Sequence, residues 1–253
     1  MSARVPVDAL QRRLQRRARP ETRAWWENYV KDGAPFRGTA MEDIRTELRG
    51  WLDVVGPASL PSAGWVDVAL DLLHHRHAED KLAGVLLLAE TLAPLGVLQP
   101  RRDLPRFAAA LDDGALADWN VVDWFCVKVL GPRLAADPDG WADGVAAWRS
   151  APGVWRARAS LVPFTVVAHD PRHADRIARG CAALIVRPER FAKTAVGWVL
   201  REVSRQDPLR ARALAEAHLA DFSAEALRNA LKHQPEAVRE RLQARGRRLR
   251  AEA

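Results

Sequence analysis

An acidic side chain inside an apolar helical run is the first candidate for chemistry in this sequence of 253 residues. Asp123 interrupts the apolar run 118–130, and Trp119 stands four residues earlier, so a helix would place both side chains on one face. Asp118 suits the exposed start of that helix. An unpaired carboxylate in apolar surroundings is costly, so Asp123 needs a cation, hydrogen-bond donors or a groove open to water. It is either a structural acid bonded to a neighbouring helix end or a carboxylate available for catalysis.

Another segment contains a basic side chain in apolar surroundings, and this side chain also needs a partner. Arg158 has Val154 and Leu161 as helical neighbours and therefore points from an apolar face. A guanidinium in that position needs a carboxylate or a phosphate. Two interpretations stay open: a buried ion pair between Asp123 and Arg158 that has no chemical role, or an arginine that holds a phosphate.

A third candidate surface lies on the predicted helix 190–205. At about 100° per residue, the apolar side chains gather on one side, and Trp198 falls on the other side with Arg201 and Arg205. An aromatic ring beside arginines suits a surface that contacts a nucleic-acid backbone or sugar. The structural alternative is a neighbouring repeat that packs over Trp198 and leaves the arginines in solvent.

The net charge of +7 is unevenly distributed along the chain. Residues 1–23 carry a net +5 and residues 187–253 a net +6, which leaves residues 24–186 at −4. If the fold brings the two basic ends onto one face, that face suits a protein that neutralises phosphates. Solvated basic helices with no nucleic-acid partner are the alternative.

The candidate residues are predicted to lie on helices. Apolar side chains recur at three- and four-residue spacing, and no segment shows the alternation of apolar and polar residues that is typical of a strand. Short connections between helices favour antiparallel pairs stacked as an array. We therefore predict an all-α fold, an α-solenoid of HEAT-like antiparallel helix pairs with a concave basic face. A single domain over 1–253 is expected, with 1–20 as a frayed basic helix and 246–253 as a disordered tail. The predicted helices include 41–55, 64–74, 78–93, 141–149, 153–168, 174–185, 190–205, 208–219, 223–232 and 235–248.

Several classes of protein are excluded by composition and motif. The content of 48% apolar and 28% charged residues is typical of a folded globular chain. No apolar run approaches the ~18 residues of a membrane span, and nucleotide-binding glycine motifs and HExxH are absent from the sequence. Cys126 and Cys181 indicate buried packing, and the histidines of the segment 74–77 indicate a solvated helix end in preference to zinc. We expect no metal, no cofactor and a cytoplasmic protein.

Four motifs occur in a characteristic order: Trp119-x3-Asp123, Trp155-x2-Arg158, the segment 191–202 (FAKTAVGWVLRE) and the segment 225–233 (EALRNALKH). Weaker matches are 35–38 (PFRG) and 80–84 (DKLAG). With these motifs the sequence resembles the AlkD-like DNA glycosylases, HEAT-like repeat proteins that remove alkylated purines from DNA. The resemblance extends from about residue 25 to the C-terminus.

The resemblance implies a role for each matching residue. Asp123 would be the catalytic carboxylate, Trp119 and Trp198 would flank the deoxyribose of the damaged nucleotide, and Arg158 would hold a phosphate nearby. Trp124 departs from the smaller residue that relatives carry after the aspartate, and either changes the preferred lesion size or packs outward. Together with Arg158, the side chains expected to contact phosphates are Lys193, Arg201, Arg205, Arg228 and Lys232.

The function implied is hydrolysis of the N-glycosidic bond of cationic N3- or N7-alkylated purines in duplex DNA, without base flipping. The protein would act as a monomer in a bacterial cytoplasm and would associate with the nucleoid when bound to DNA. The alternative is a non-catalytic HEAT-like module that binds DNA or protein through the same surface.

Overall fold

The computed structural model describes residues 7–31, 33–56 and 62–252, and every regular element among them is a helix. The predicted all-α fold class is confirmed and is consistent with a helical-repeat fold. The chain divides into two compact units, residues 1–129 and 130–253, which are described separately. The single domain and the concave basic face stay predictions.

The described part of the first unit consists of helices joined by short connections. Two of these helices continue into π-helical turns, at Leu87–Leu92 and Cys126–Leu130. The α-helices are α1 (Val7–Arg16), α2 (Pro20–Val30), α3 (Met41–Val55), α4 (Ser62–His74), α5 (Ala78–Leu86), α6 (Pro100–Asp112) and α7 (Trp119–Phe125).

The N-terminal helix α1 is packed, although a frayed helix is predicted over 1–20; residues 1–6 of that range lie outside the described part of the chain. Leu10 and Leu14 are completely buried. Arg13 and Arg17 donate hydrogen bonds of 2.8 and 2.7 Å to the carboxylate of Glu47 on α3. The bond from Arg17, helped by Arg13, lowers the pKa of the Glu47 carboxyl. Part of the positive charge at the N-terminal end is therefore balanced within the fold.

The second unit is also built of helices, with 3₁₀ turns at Trp148–Ser150, Val162–Thr165 and Pro171–His173. Its α-helices are α8 (Gly131–Ala136), α9 (Pro138–Ala147), α10 (Val154–Ala159), α11 (Ala174–Ile185), α12 (Arg190–Ser204), α13 (Pro208–Ala217), α14 (Ala224–Ala230) and α15 (Glu236–Glu252).

The predicted helix 153–168 is wrong in its second half. The α-helix ends at Ala159 and a 3₁₀ turn covers Val162–Thr165. Pro163 has no backbone N–H, and its ring collides with the carbonyl four residues earlier in a continuous α-helix. The proline therefore separates the segment that carries Arg158 from the segment that follows.

The C-terminal helix α15 continues to Glu252, so the expected disordered tail 246–253 is helical through that residue. Gly246 is buried, and a Cβ atom added there would lie 3.1 Å from the side chain of Leu227. Arg250 donates a hydrogen bond of 3.0 Å to the carbonyl of Phe222. These contacts hold α15 against the rest of the second unit.

Candidate functional site

The helix α7 has one open face, and Asp123 lies on it. Around the helix and the π turn that follows, Asn120, Val121, Val122, Phe125 and Cys126 are buried. The partly or fully exposed residues form the opposite stripe, and they are Trp119, Asp123, Trp124, Val127 and Lys128. Asp123 is thus partly exposed, which agrees with the expected groove open to water more than with an acid enclosed in the core.

The start of α7 is fixed by the carboxylate of Asp118. One oxygen accepts a hydrogen bond of 2.9 Å from the backbone N–H of Val121, as an N-cap does, and the other accepts a bond of 3.2 Å from Ala34. Asp118 is only 7% exposed, so the expectation of an exposed helix start was wrong. One buried carboxylate therefore joins the first turn of α7 to the loop that follows α2.

The indole ring of Trp119 is held by the end of α2 and the segment that follows it. Its Nε1–H donates a hydrogen bond of 3.0 Å to the carbonyl of Val30, the last residue of α2. The ring packs against the buried cluster of Val30, Phe36 and Ala78, and it meets the ring of Tyr29 edge-to-face at 5.3 Å. Trp119 consequently has a fixed orientation beside Asp123, while part of it remains exposed.

A buried lysine supports the loop that leads into α7. The ammonium of Lys81 donates hydrogen bonds of 2.7 Å to the carbonyls of Leu73 and Ala115. Burial lowers the pKa of Lys81, and the negative charge of Asp118 acts in the opposite direction. The charge on Lys81 therefore complements the carboxylate that caps α7.

Sequence reasoning missed an aromatic surface on α2 that borders Trp119. The rings of Trp25 and Tyr29 stack at 5.1 Å with an interplanar angle of 16°, although these residues are 56% and 54% exposed. Trp26 stacks on Phe36 at 5.4 Å. The signal was the spacing Trp25-Trp26-x2-Tyr29, which puts Trp25 and Tyr29 on one helical face.

In the second unit, Arg158 is only 4% exposed. Its Nη1 donates hydrogen bonds of 2.7 Å to the carbonyl of Phe191 and 3.1 Å to the hydroxyl of Thr194. Its guanidinium carbon lies 5.9 Å from the ring of Phe191. These bonds join α10 to the first turn of α12. The low exposure of Arg158 does not favour a phosphate contact, and that role, like the pairing with Asp123, stays a prediction.

Trp198 lies partly exposed on α12, with the guanidinium carbon of Arg201 5.9 Å from its ring. Next to it, a Cβ atom on Gly197 would lie 2.5 Å from the carbonyl oxygen of Ala226, so the backbones of α12 and α14 approach closely. The polar side predicted for Trp198 is confirmed by its neighbours, whereas its contact with deoxyribose stays a prediction.

Several of the cations predicted to bind DNA already have partners. Glu202 lies 2.7 Å from Arg201 and 2.8 Å from Arg205, so one carboxylate serves both arginines. Arg201 also donates a bond of 3.2 Å to Asn229, and the ammonium of Lys193 donates to the carbonyl of Asp221. These groups hold α12 against its neighbours as well as carrying charge.

Arg228 and Lys232 are exposed and line an open cavity of about 590 Å³ along α14 and α15. The glutamates Glu225, Glu236 and Glu240 line the same cavity, so its surface carries both signs of charge. Desolvation and then the charge of Arg205 lower the pKa of His233, and Lys232 acts in the same direction.

A family model described as "DNA alkylation repair enzyme" matches residues 10–234. The chain belongs to this family. Among solved structures, the chain is similar to the "Predicted DNA alkylation repair enzyme from Enterococcus faecalis", with a TM-score of 0.73 and 18% sequence identity. That match covers 87% of this chain and 98% of the other, and at such identity it shows the fold alone. No curated protein matches the chain.

The resemblance to the AlkD-like repair family is therefore confirmed, while the roles of individual residues in this repair enzyme stay predictions. Within the described ranges, no group of three or more histidine, cysteine or acidic side chains is arranged to hold a metal ion. His74 instead pairs with Asp113 at 2.9 Å, and His75 lies 3.8 Å from Asp71. No helix of the described part has the length and apolar character to cross a bilayer.

Proposed function

We propose that this DNA alkylation repair enzyme is a DNA glycosylase that hydrolyses the N-glycosidic bond of cationic N3- or N7-alkylated purines in duplex DNA. The observation that carries the proposal is the placement of Asp123. Its carboxylate lies partly exposed on the open face of α7, four residues after the indole of Trp119, which is fixed by the bond to Val30.

A carboxylate in this position suits the chemistry of a charged base. Alkylation at N3 or N7 makes the purine cationic, so the electron pair of the breaking C1′–N bond moves onto the base, which leaves as a neutral molecule. The sugar then acquires oxocarbenium character, which a nearby carboxylate stabilises more strongly than it stabilises the ground state. A water oxygen bonds to C1′, and its proton passes to Asp123 or to solvent.

The fixed aromatic ring contributes through electrostatics. The face of an indole attracts a cation through its quadrupole, so Trp119 beside the deoxyribose would favour the developing positive charge. The resemblance to the AlkD-like family implies Trp198 as a second ring at the sugar, and this role stays a prediction. The exposed cations Arg228 and Lys232 are the better candidates for phosphate contacts. The other predicted cations are partly engaged in contacts within the second unit, and these are Arg158, Lys193, Arg201 and Arg205.

We further propose that the damaged base stays stacked. Enzymes that flip a base enclose it in a pocket, whereas Asp123 and Trp119 lie on a partly exposed helix face. A cationic purine leaves without being protonated by the enzyme, so base-reading groups are not needed for the reaction. The enzyme would use no metal or cofactor and would act as a monomer on duplex DNA in a bacterial cytoplasm, near the nucleoid.

The test is the release of 3-methyladenine and 7-methylguanine from a methylated duplex. We expect the wild type to release both bases and Asp123→Asn to slow release by about 10²- to 10⁴-fold. Circular dichroism and affinity for undamaged duplex should be unchanged in this variant. Asp53→Asn, which changes an exposed aspartate on α3, is the matched control and should keep full activity.

Two outcomes would contradict the proposal in different ways. Full activity of Asp123→Asn would remove Asp123 from the mechanism and leave the glycosylase assignment intact. Tight binding of duplex DNA by a wild type that releases no base would favour the non-catalytic HEAT-like module.

A further inference from the structure

Trp124 lies beside Asp123 on the open face of α7, and two cations contact its ring. The guanidinium carbon of Arg45, on α3, lies 5.8 Å from the ring centroid, and the Nζ atom of Lys128 lies 5.6 Å from it. Both distances are within the range of about 6 Å at which an aromatic face attracts a cation. We call these three side chains the Trp124 cluster; all of them belong to the first unit.

Contact with an aromatic ring leaves the positive charge of these cations available to bind an anion. A carboxylate neutralises the cation that it pairs with, whereas an aromatic ring attracts a cation without carrying a net charge. Lys128 is exposed and has no ion-pair partner among the described residues. Arg45 forms an ion pair of 2.9 Å with Glu90 and lies 4.0 Å from Glu42. Lys128 should therefore bind an anion more strongly than Arg45 does.

The position of the cluster indicates which anion it meets. Asp123 and Trp124 are consecutive residues, so their Cα atoms are about 3.8 Å apart. Lys128 lies four residues after Trp124. If Asp123 acts at a deoxyribose, the nearest anions of the substrate are the phosphates on either side of that sugar. A contact between a cation and a backbone phosphate would strengthen binding to the strand and would not depend on the base sequence.

We propose that Lys128 and Arg45, held by Trp124, bind a DNA phosphate that flanks the nucleotide undergoing base removal. This inference rests on the proposed function, because that function places a deoxyribose at Asp123. Trp124 is a positioning residue here: it orients two cations and does not touch the reacting atoms. The phosphate contact would fix the sugar against the carboxylate, and it would do so equally for damaged and undamaged duplexes.

The test measures the affinity for an unmodified duplex by fluorescence anisotropy between about 50 and about 200 mM salt. Loss of one phosphate contact should make the slope of log affinity against log salt less steep by about 0.9 in Lys128→Gln. Across this fourfold range, the wild type should then lose about 3.5-fold more affinity than the variant. Arg101→Gln, which removes an exposed arginine at the start of α6, is the matched control and should retain the wild-type slope.

The ring is tested separately. Trp124→Phe should keep most of the affinity, because it preserves an aromatic face, whereas Trp124→Leu should weaken binding in the same direction as Lys128→Gln. The double variant with Trp124→Leu and Lys128→Gln should lose no more affinity than Trp124→Leu alone, because loss of the ring already removes the Lys128 contact. Unchanged helical circular dichroism checks that these variants fold.

A Lys128→Gln slope equal to that of Arg101→Gln would overturn the proposal. So would a double variant whose loss equals the sum of the two single losses, since that result would separate Trp124 from Lys128. Because these titrations use undamaged DNA, a wild type that releases no base would count against the proposed function alone. An active wild type whose Lys128→Gln variant has an unchanged slope would count against the phosphate site alone.

Discussion

The open face of α7 and the surface of α12 and α14 differ in how far carboxylates neutralise their cations. On α7, an aromatic ring lies next to Lys128 and Arg45; Arg45 also pairs with Glu90, whereas the exposed Lys128 has no carboxylate partner among the described residues. On α12, the carboxylate of Glu202 lies within 2.8 Å of two arginines. The number of basic residues in a region is therefore a poor measure of the positive charge that it offers to DNA.

The net charge of the corresponding sequence segments ranks the two regions the other way. Residues 187–253 carry a net +6 and residues 24–186 a net −4. Yet Arg190 of the basic region is paired with Glu225 at 2.6 Å, while Lys128 of the acidic region is exposed. Folding decides which charges meet, because partners such as Arg190 and Glu225 come from different helices.

The largest expected contrast in stability is between alanine variants of the two tryptophans predicted to lie at the deoxyribose. Trp119→Ala removes a hydrogen bond to Val30, the ring contact with Tyr29 and the packing against the buried cluster beside them. We therefore expect the free energy of unfolding to fall by about 2–3 kcal/mol, less than for a fully buried tryptophan. Trp198→Ala should cost about 1 kcal/mol or less and should mainly weaken excision or DNA binding. Urea denaturation of both variants measures the difference. An equal loss of stability would mean that Trp198 is a packing residue.

The helix caps of the two units provide the next contrast. Asp118→Ala removes an N-cap bond and the bond to Ala34 from a buried site, and we expect a loss of about 2 kcal/mol. Asp207→Ala removes the N-cap of α13, a bond of 2.9 Å to Arg210, from a half-exposed site and should cost about 1 kcal/mol. Denaturation in urea again gives both values. If Asp118→Ala were as mild as Asp207→Ala, the second bond would contribute nothing.

Removing the carboxylate on α12 should make that surface behave like the α7 face. Glu202→Gln leaves Arg201 and Arg205 without their shared acid, so the affinity for undamaged duplex should rise. The slope of log affinity against log salt should steepen by up to about 1.8. Glu216→Gln, on α13, is a control carboxylate that lies 3.7 Å from Arg241. No change for Glu202→Gln would show that the α12 arginines do not meet DNA.

The smallest expected effects come from one histidine in each unit, and they have opposite signs. A hydrogen bond with Asp113 raises the pKa of His74, so this pair stabilises the fold below about pH 6.5 and loses its contribution as the pH rises through the folded-state pKa. Burial lowers the pKa of His173, so stability is lost as the pH falls below about 6.5, where the unfolded chain binds a proton more readily.

Two variants isolate these terms. His74→Gln should reduce stability at pH 5.5 more than at pH 8, on the order of a few tenths of a kcal/mol, because the pair is half-exposed. His173→Phe should make the stability less sensitive to acid between about pH 6.5 and 5. Thermal unfolding at both pH values measures each change. The same sign for both histidines would contradict the assignment.

The periodicity of apolar residues was sufficient for most helices, since an amphipathic helix is a local pattern. The predicted 41–55 and 174–185 coincide with α3 and α11. The segment 153–168 failed because periodicity outweighed the proline at 163 in the prediction. Asp123, Trp119 and Trp198 were identifiable because each breaks or borders the apolar pattern of its own helix.

The sequence by itself determined the all-α class, the polar side of Trp198 and the position of Asp123 one turn after Trp119, since all of these follow from spacing within one helix. Only the tertiary structure decided what each side chain meets. The bond from Trp119 to Val30 joins residues 89 positions apart, and the ring of Trp124 meets an arginine from α3. Partners of this kind are brought together by the packing of helices, which no local pattern encodes, and they determine which rings are fixed and which charges remain available to DNA.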